Sequence, residues 1–222
     1  MSGNIRIPFT EIRVGRFLFL FISMVLMFVF RPFLEDYTSV RYLMSIFFLV
    51  IFISAIYAVS QKRSTLIIAL FLLLLTIILQ LFSYLKDIPS LDALSNILGA
   101  LLLAYTATII LLYLFREERI TGDMIMGAIC VYFLMGLVWT FIYYALEFFQ
   151  PGSFQMPHGM VDKATFTYYS YVTLTTLGYG DITPISTPAR SFALLEAVMG
   201  QLYLAVLIAR LVGIHIAQSS RP

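Results

Sequence analysis

The stretch Thr175-Thr176-Leu177-Gly178-Tyr179-Gly180-Asp181 decides how the rest of this sequence is interpreted. Its two glycines, Gly178 and Gly180, can adopt positive φ without a Cβ clash. Alternating backbone dihedrals then allow the successive carbonyl groups of residues 176–179 to point the same way. A ring of such segments, one from each subunit, can replace the hydration shell of a dehydrated cation. The Thr176 hydroxyl adds a further ring of oxygen atoms at one end.

The flanks of this stretch are those of a loop that enters a membrane and returns. Residues 162–174, which precede it, are rich in aromatic residues and Thr and are too short to span a bilayer. Residues 182–188, which follow it, contain two prolines and lead into a long apolar segment. Non-helical backbone at membrane depth is tolerated only where it is buried in protein or lines a water-filled cavity. This order predicts a pore loop, and a Gly-rich loop between two ordinary helices is the alternative.

The composition is that of an integral membrane protein. Hydrophobic residues make up 61% and charged residues 12% of the chain, and the mean hydropathy is +0.94, which a soluble domain does not show. The net charge of +2 gives no indication of nucleic-acid binding. No loop carries a metal-ligand cluster or a nucleophile–base pair, so we expect neither an enzyme nor a cofactor. The single cysteine, Cys130, is interpreted as a small core residue.

Six apolar segments approach the roughly 20 residues that cross about 30 Å of hydrocarbon. They are Phe17–Phe30, Tyr42–Val59, Leu66–Leu85, Leu94–Phe115, Met124–Phe148 and Ser191–Val212. We therefore predict an all-α membrane protein with six transmembrane helices. Residues 1–115 form a four-helix bundle, residues 116–123 a linker, and residues 124–222 a pore domain with outer helix, pore helix and inner helix. The charged linker is either a short interfacial helix that couples the two parts or a solvated connector.

The distribution of Lys and Arg predicts the orientation in the membrane. One side carries Arg6, Arg13, Arg16, Lys62, Arg63, Arg116, Arg119, Arg210 and Arg221, and the other carries the smaller set Arg31, Arg41, Lys86, Lys163 and Arg190. We therefore expect a multi-pass protein of the plasma membrane with both termini in the cytoplasm. Residues 1–15 lack a small-residue cleavage site, so no removable signal peptide is expected. Within this chain, the segment after the sixth apolar segment is too short for a soluble ligand-binding domain, and the sequence leaves open whether one belongs to the natural protein.

The run Thr-Leu-Gly-Tyr-Gly at residues 176–180, from here on the filter stretch, resembles the potassium-channel signature Thr-Val-Gly-Tyr-Gly, with Leu177 in place of valine. The whole layout resembles the voltage-gated-like cation channel superfamily, in particular its prokaryotic six-transmembrane potassium channels. That resemblance implies a homotetramer in membrane lipid that conducts K⁺ passively. Its implied K⁺ ligands are the backbone carbonyls of Thr176, Leu177, Gly178 and Tyr179 and the Thr176 hydroxyl. The fourth span of that superfamily carries Arg or Lys at every third position, whereas Leu94–Phe115 contains no charge, so we expect a sensor-like bundle that responds weakly to voltage.

The resemblance also implies residues that support the filter stretch. They are Thr175, Asp181, Tyr168 and Tyr169. The tyrosine pair is expected to hydrogen-bond to Tyr179 or Asp181, and an interfacial aromatic belt is the alternative. A ring of Asp181 carboxylates would also concentrate cations at the outer mouth. Val172 occupies a position where some members of the superfamily have a glutamate, so no carboxyl group from that position can pair with Asp181.

The last apolar segment contains the expected moving parts. Gly200 is the expected hinge, with close helix packing as the alternative. The cavity and gate are expected at Gln201, Leu204, Ile208, Val212 and Ile216, and an ordinary lipid- or helix-facing stripe is the alternative. Glu196 is ionisable and lies well inside the segment, which makes it a candidate functional residue, expected near the pore helix or the filter stretch.

Three functions remain at this point. The first is a potassium-selective channel. The second is a weakly selective cation channel, which Leu177 and the missing glutamate leave open. The third is a non-conducting auxiliary or scaffold subunit. The presence of both filter glycines argues against the third function, because a non-conducting pore has no need of them.

Overall fold

The computed structural model describes residues 15, 17–34, 40–59, 63–86, 88–156 and 162–219. Its helices are α1 (Leu18–Leu34), α2 (Val40–Val59), α3 (Arg63–Lys86), α4 (Pro89–Arg116), α5 (Gly122–Phe149), α6 (Lys163–Leu174) and α7 (Thr187–Ser219). Two strands of two residues each, β1 (Phe154–Gln155) and β2 (Thr183–Pro184), pair antiparallel. The sequence did not predict this strand pair. It joins the loop after α5 to the loop before α7.

Four of these helices are long and apolar enough to cross a membrane, namely α3, α4, α5 and α7 up to Gln218. The first two helices contain shorter apolar stretches, Leu18–Phe30 and Ile46–Ala58. The described chain is therefore a helical protein of membrane-spanning character, as the composition predicts. A total of six spans stays a prediction.

The linker between α4 and α5 is not a helix. The helix α4 ends at Arg116, and residues 117–121 are non-helical. The helix α5 begins after Thr121, whose hydroxyl accepts a hydrogen bond from the Met124 amide at 3.1 Å, the usual role of an N-cap threonine. Two interpretations of this charged segment were open. The interfacial helix is wrong, because the five residues that connect α4 to α5 are non-helical.

One hydrophobic core runs across the predicted boundary between the bundle and the pore domain. It contains buried side chains of α1, α2, α4 and α5, including Ala58 near the end of α2, and it also contains Ala69 of α3. Glycine permits the closest approaches. A Cβ atom at Gly127 of α5 would lie 3.0 Å from the Phe17 ring, and one at Gly99 of α4 would lie 3.2 Å from the Phe52 ring. The outer helix α5 is thus packed against the bundle along its length.

A second, aromatic core positions the pore loop. It consists of Trp139, Tyr143, Phe154, Phe166, Tyr169, Ile182 and Ala189. These residues come from α5, β1, α6, the loop after the filter stretch and the start of α7. Edge-to-face ring contacts join them, such as the 5.1 Å separation between the Phe154 and Phe166 centroids, a preferred aromatic geometry. The short helix α6 is therefore held between α5 and α7.

Candidate functional site

The short helix α6 has the bounds that the sequence predicts for a pore helix. It runs from Lys163 to Leu174, and Asp162 is its N-cap, with Oδ1 accepting a hydrogen bond from the Thr165 amide at 2.6 Å. At the other end, the Thr175 hydroxyl donates to the Tyr171 carbonyl at 2.6 Å. The C-terminal end of a helix carries a partial negative charge, which favours a cation nearby.

The filter stretch alternates between left-handed and ordinary backbone conformations. Gly178 and Gly180 have φ of 58° and 79°, as predicted, and Thr176 has φ of 60°. Among the non-glycine residues that the structure describes, Thr176 alone has a positive φ. The left-handed conformation costs an L-residue about 1–2 kcal/mol, and such strain is typical of functional sites. The positive φ of Thr176 was not predictable from residue type, because threonine rarely adopts this conformation.

The amide groups of the filter stretch point back to α6. The amides of Leu177 and Gly178 both donate to the carbonyl of Val172, at 2.9 and 3.3 Å. All described peptide bonds are trans, and a planar trans peptide places its C=O opposite its N–H. The carbonyls of residues 176 and 177 therefore point away from α6. This row of oxygen atoms is one of the features that cation coordination requires.

Tyr168 contacts the outer end of the filter stretch. Its hydroxyl donates a hydrogen bond to the Asp181 carboxylate, which raises the pKa of Tyr168 to about 12. Its ring lies parallel to that of Tyr179, with 6.5 Å between the centroids. Asp181 also accepts from the amide of Ile182 at 3.0 Å. Within one chain, Tyr169 packs on Tyr143 and Phe154 rather than on the filter stretch.

Glu196 contacts α6, the predicted pore helix, near the place that the sequence predicts. Its side chain is 0% exposed. One carboxyl oxygen is 2.5 Å from the hydroxyl of Ser170 on α6, and the other is 2.5 Å from the hydroxyl of Tyr143 on α5. This carboxyl group therefore joins α5, α6 and α7. The sequence identified Glu196 but neither partner, because both are separated from it by many residues along the chain.

Glu147 is a second buried carboxyl group, which was not among the predicted site residues. It lies at the end of α5 and accepts hydrogen bonds from the amides of Gly152 and Phe154, at 2.7 and 3.2 Å. The carbonyl of Ser153 in the same loop accepts from the amides of Ile185 and Ser186. Glu147 thus fixes the loop that pairs with the segment after the filter stretch. The available signal was the pair of turn residues Pro151 and Gly152, which lie shortly after the end of α5.

Gly200 lies where α7 meets the end of α6. A Cβ atom there would overlap the backbone carbonyl oxygen of Leu174 and come within 2.9 Å of its Cδ1 atom. The same carbonyl accepts a hydrogen bond from the Tyr132 hydroxyl of α5 at 3.3 Å. This contact supports close packing as a reason for glycine at position 200, and its role as a hinge stays a prediction.

The residues predicted to line the cavity and gate lie on the surface of α7. Gln201, Leu204, Ile208, Val212 and Ile216 are all exposed in one chain. Their assignment to a cavity or gate stays a prediction. The filter stretch itself is also exposed, with 60% of Leu177 and 68% of Tyr179 accessible.

Known proteins resemble the part of the chain that contains this site. Residues 129–215 match a family model described as "Ion channel". The matched range contains most of α5, all of α6, the filter stretch and most of α7. Together with four helices of spanning length, this match supports an ion channel and a multi-pass membrane protein.

Three individual relatives are similar over a shorter range. Each is a "Voltage-gated potassium channel regulatory subunit KCNG1", from Homo sapiens, Mus musculus or Rattus norvegicus. Each is 34% identical over 76 residues, which is 32% of this chain and 15% of the relative. The chain therefore aligns with only a small part of the length of these relatives. No solved structure gives a significant match.

Proposed function

We propose that this chain is a subunit of a potassium-selective channel that conducts K⁺ passively. The observation that carries the proposal is the backbone of the filter stretch, where φ alternates in sign at residues 176, 178 and 180. The amides of Leu177 and Gly178 donate to the carbonyl of Val172. The carbonyls of residues 176 and 177, which belong to the same peptide groups, therefore point away from α6. Such carbonyls suit the coordination of a dehydrated monovalent cation.

We propose that four copies of the chain surround the pore in membrane lipid. The filter stretch of one chain supplies one side of a coordination ring, so a closed ring needs several copies. An open cavity of about 320 Å³ lies beside this stretch and is lined by Leu177, Tyr179, Phe28 and several residues of α6. A neighbouring copy would fill this cavity and cover the exposed apolar side chains of α7.

We propose that voltage has little effect on this pore. Moving one elementary charge through the membrane potential is worth about 2.3 kcal/mol per 100 mV, and the segment Leu94–Phe115 carries no charge to move. In this proposal, residues 1–115 form a sensor-like scaffold and residues 124–222 form the pore domain. The protein lies in the plasma membrane with both termini in the cytoplasm, as the Lys and Arg distribution predicts.

A non-conducting regulatory subunit is the second candidate function. The observation that favours it is the name of the relatives, which describes each of them as a regulatory subunit. A weakly selective cation channel is a variant of the first proposal, which Leu177 and Val172 keep open. These functions differ in the flux that the purified protein supports.

The test is reconstitution of the purified protein into liposomes and planar bilayers. K⁺ and Na⁺ fluxes are compared while the voltage is stepped in both directions, and the mass of the purified assembly is measured. A tetramer with strongly K⁺-selective, weakly voltage-dependent current is expected. Equal K⁺ and Na⁺ fluxes would favour the weakly selective channel. A stable assembly without flux would favour the regulatory subunit, and a steeply voltage-dependent current would contradict the scaffold role of residues 1–115.

Two glycine variants make this test specific to the filter stretch. Gly178→Ala places a Cβ at a backbone φ of 58°, which L-residues rarely adopt, and should abolish K⁺ flux. Gly213→Ala is the matched control, because position 213 lies within α7 and a Cβ there meets nothing within 4 Å. The control should retain flux. Equal flux in both variants would contradict conduction through the filter stretch.

A further inference from the structure

The carboxyl group of Glu196 has two hydroxyl partners, and one of them has a second oxygen in reach. The Ser170 hydroxyl oxygen lies 2.5 Å from a carboxyl oxygen of Glu196 and 2.8 Å from the carbonyl oxygen of Gly136 on α5. Tyr143 lies 2.5 Å from the other carboxyl oxygen. All three side chains are 0% exposed. The contacts therefore form a buried chain from Gly136 through Ser170 and Glu196 to Tyr143.

Counting protons along this chain decides the state of Glu196. A serine hydroxyl has one proton to donate, and a backbone carbonyl can only accept. When Ser170 donates to Gly136, its contact with Glu196 requires a proton from the carboxyl group. Tyr143 then donates to the second carboxyl oxygen. With Glu196 ionised, Ser170 donates to the carboxylate and its 2.8 Å contact with Gly136 carries no proton. Each contact has a proton of its own only when Glu196 is protonated.

The surroundings of Glu196 also favour the neutral form. The ionisable groups that face it are tyrosines, namely Tyr132 and Tyr143 on α5 and Tyr169 and Tyr171 on α6. Residues 192–200 of α7 contain no second ionisable group, and neither does β2. In the described ranges, no Lys or Arg is paired with this carboxyl group. A buried carboxylate without a cationic partner is costly, so the group keeps its proton instead.

The chain of contacts leads to the filter stretch. Ser170 precedes Val172 by two residues in α6, and the carbonyl of Val172 accepts the amides of Leu177 and Gly178. A displacement of Ser170 therefore moves the acceptor that orients the filter backbone. We propose that Glu196 is a positioning residue that stays protonated at neutral pH and fixes the pore helix, and through it the K⁺ selectivity of the pore. The second part of this proposal rests on the proposed channel function.

An infrared measurement tests the proton without any flux. Purified protein in lipid vesicles at neutral pH is compared with Glu196→Gln in the carbonyl-stretch region of protonated carboxylic acids. The wild-type protein should show a band that Glu196→Gln lacks. Glu147→Gln should keep this band, because the partners of Glu147 are the amides of Gly152 and Phe154 and not the hydroxyls of Ser170 and Tyr143. A wild-type spectrum without such a band would overturn the proposal, whether or not the protein conducts.

A flux measurement tests the positioning role. Gln is neutral, and its amide can donate to Ser170 and accept from Tyr143, so Glu196→Gln should keep the wild-type K⁺ to Na⁺ permeability ratio. Glu196→Ala and Ser170→Ala, which break the chain of contacts, should lower this ratio about tenfold. On raising the pH, the wild-type ratio should fall while that of Glu196→Gln stays constant. Loss of selectivity in Glu196→Gln at neutral pH, or identical pH responses of the two proteins, would overturn the role.

Discussion

The guanidinium group of Arg210 donates two hydrogen bonds to the backbone carbonyl of Leu114, from Nε at 3.2 Å and from Nη2 at 2.8 Å. A third bond reaches the carbonyl of Glu117 at 2.9 Å. These carbonyls lie at the C-terminal end of α4, where helices leave acceptors unsatisfied and carry a partial negative charge. The guanidinium also lies 5.2 Å from the ring centroid of Phe115. The second half of α7 is thus bound directly to the end of α4.

Replacing Arg210 should loosen this attachment. Hydrogen bonds to charged groups contribute about 1.5–3 kcal/mol each, so Arg210→Ala should lower the free energy of unfolding by an amount of that order. Glu117→Ala is the control, because Arg210 bonds to the backbone of Glu117 and not to its carboxylate. Chemical unfolding in detergent measures both effects. A loss of stability in Glu117→Ala as large as in Arg210→Ala would show that a charge pair, rather than carbonyl capping, stabilises this contact.

Gly200→Ala should separate α7 from the end of α6. The added Cβ overlaps a backbone carbonyl, which cannot rotate away as a flexible side chain can. We expect a loss of thermal stability together with reduced K⁺ flux. Gly213→Ala should instead leave stability unchanged or raise it by about 0.5–1 kcal/mol, because alanine is the better helix residue. Unchanged stability with impaired opening in Gly200→Ala would favour a pure hinge over close packing.

Tyr168→Phe should weaken the outer support of the filter stretch. The substitution removes the hydrogen bond to Asp181 and keeps the ring that lies against Tyr179. We expect a lower K⁺ to Na⁺ permeability ratio, measured from reversal potentials. Tyr143→Phe tests the other hydroxyl network and should not change the contact with Asp181. Wild-type selectivity in Tyr168→Phe would show that ring packing alone supports Asp181.

The raised pKa of Tyr168 sets the pH range of this support. The hydrogen bond to Asp181 raises the pKa of Tyr168 to about 12 in the folded protein, whereas the pKa of an unperturbed tyrosine is about 10. The contribution of the bond to stability is therefore constant below about pH 10 and is lost between about pH 10 and pH 12. A selectivity change of the wild-type protein between neutral pH and about pH 9 must come from another group. It should persist in Tyr168→Phe.

Glu147→Gln should loosen the loop after α5. The glutamine keeps one acceptor, but its NH₂ group faces an amide donor, so one of the two backbone hydrogen bonds is lost. Hydrogen exchange at the amides of Gly152 and Phe154 should accelerate at least severalfold. Glu118→Gln, at an exposed position in the linker, controls for the change in charge. Unchanged exchange at both amides would contradict the role of Glu147.

The sequence predicted the parts of this protein that follow from local pattern. Apolar length gave the helices, and the positive φ of Gly178 and Gly180 followed from residue type alone. The sequence predicted a linker at residues 116–123 but left two alternatives for its conformation, and the left-handed conformation of Thr176 was not predictable in this way. Residue propensities do not predict the positive φ of Thr176. This conformation accompanies the hydrogen bonds from the amides of Leu177 and Gly178 to the carbonyl of Val172.

Contacts between helices that are far apart in the sequence were the second feature that the sequence did not predict. Glu196 was recognisable as an ionisable residue in an apolar segment, but Ser170 and Tyr143 lie 26 and 53 residues before it. Arg210 was counted only as a positive charge at one membrane face, although its bonds to α4 span 96 and 93 residues. Such partners depend on how the helices pack, which periodicity does not specify.

The position of Gly200 has a mechanical consequence. Gly200, the predicted hinge of α7, is also the point at which this helix touches Leu174, the last residue of the helix that leads into the filter stretch. A bend in α7 at this point either carries the Leu174 carbonyl with it or breaks contact with it. As long as this contact holds, the proposed inner mouth and the proposed ion-coordinating backbone would share a single joint, and a bend in one would displace the other.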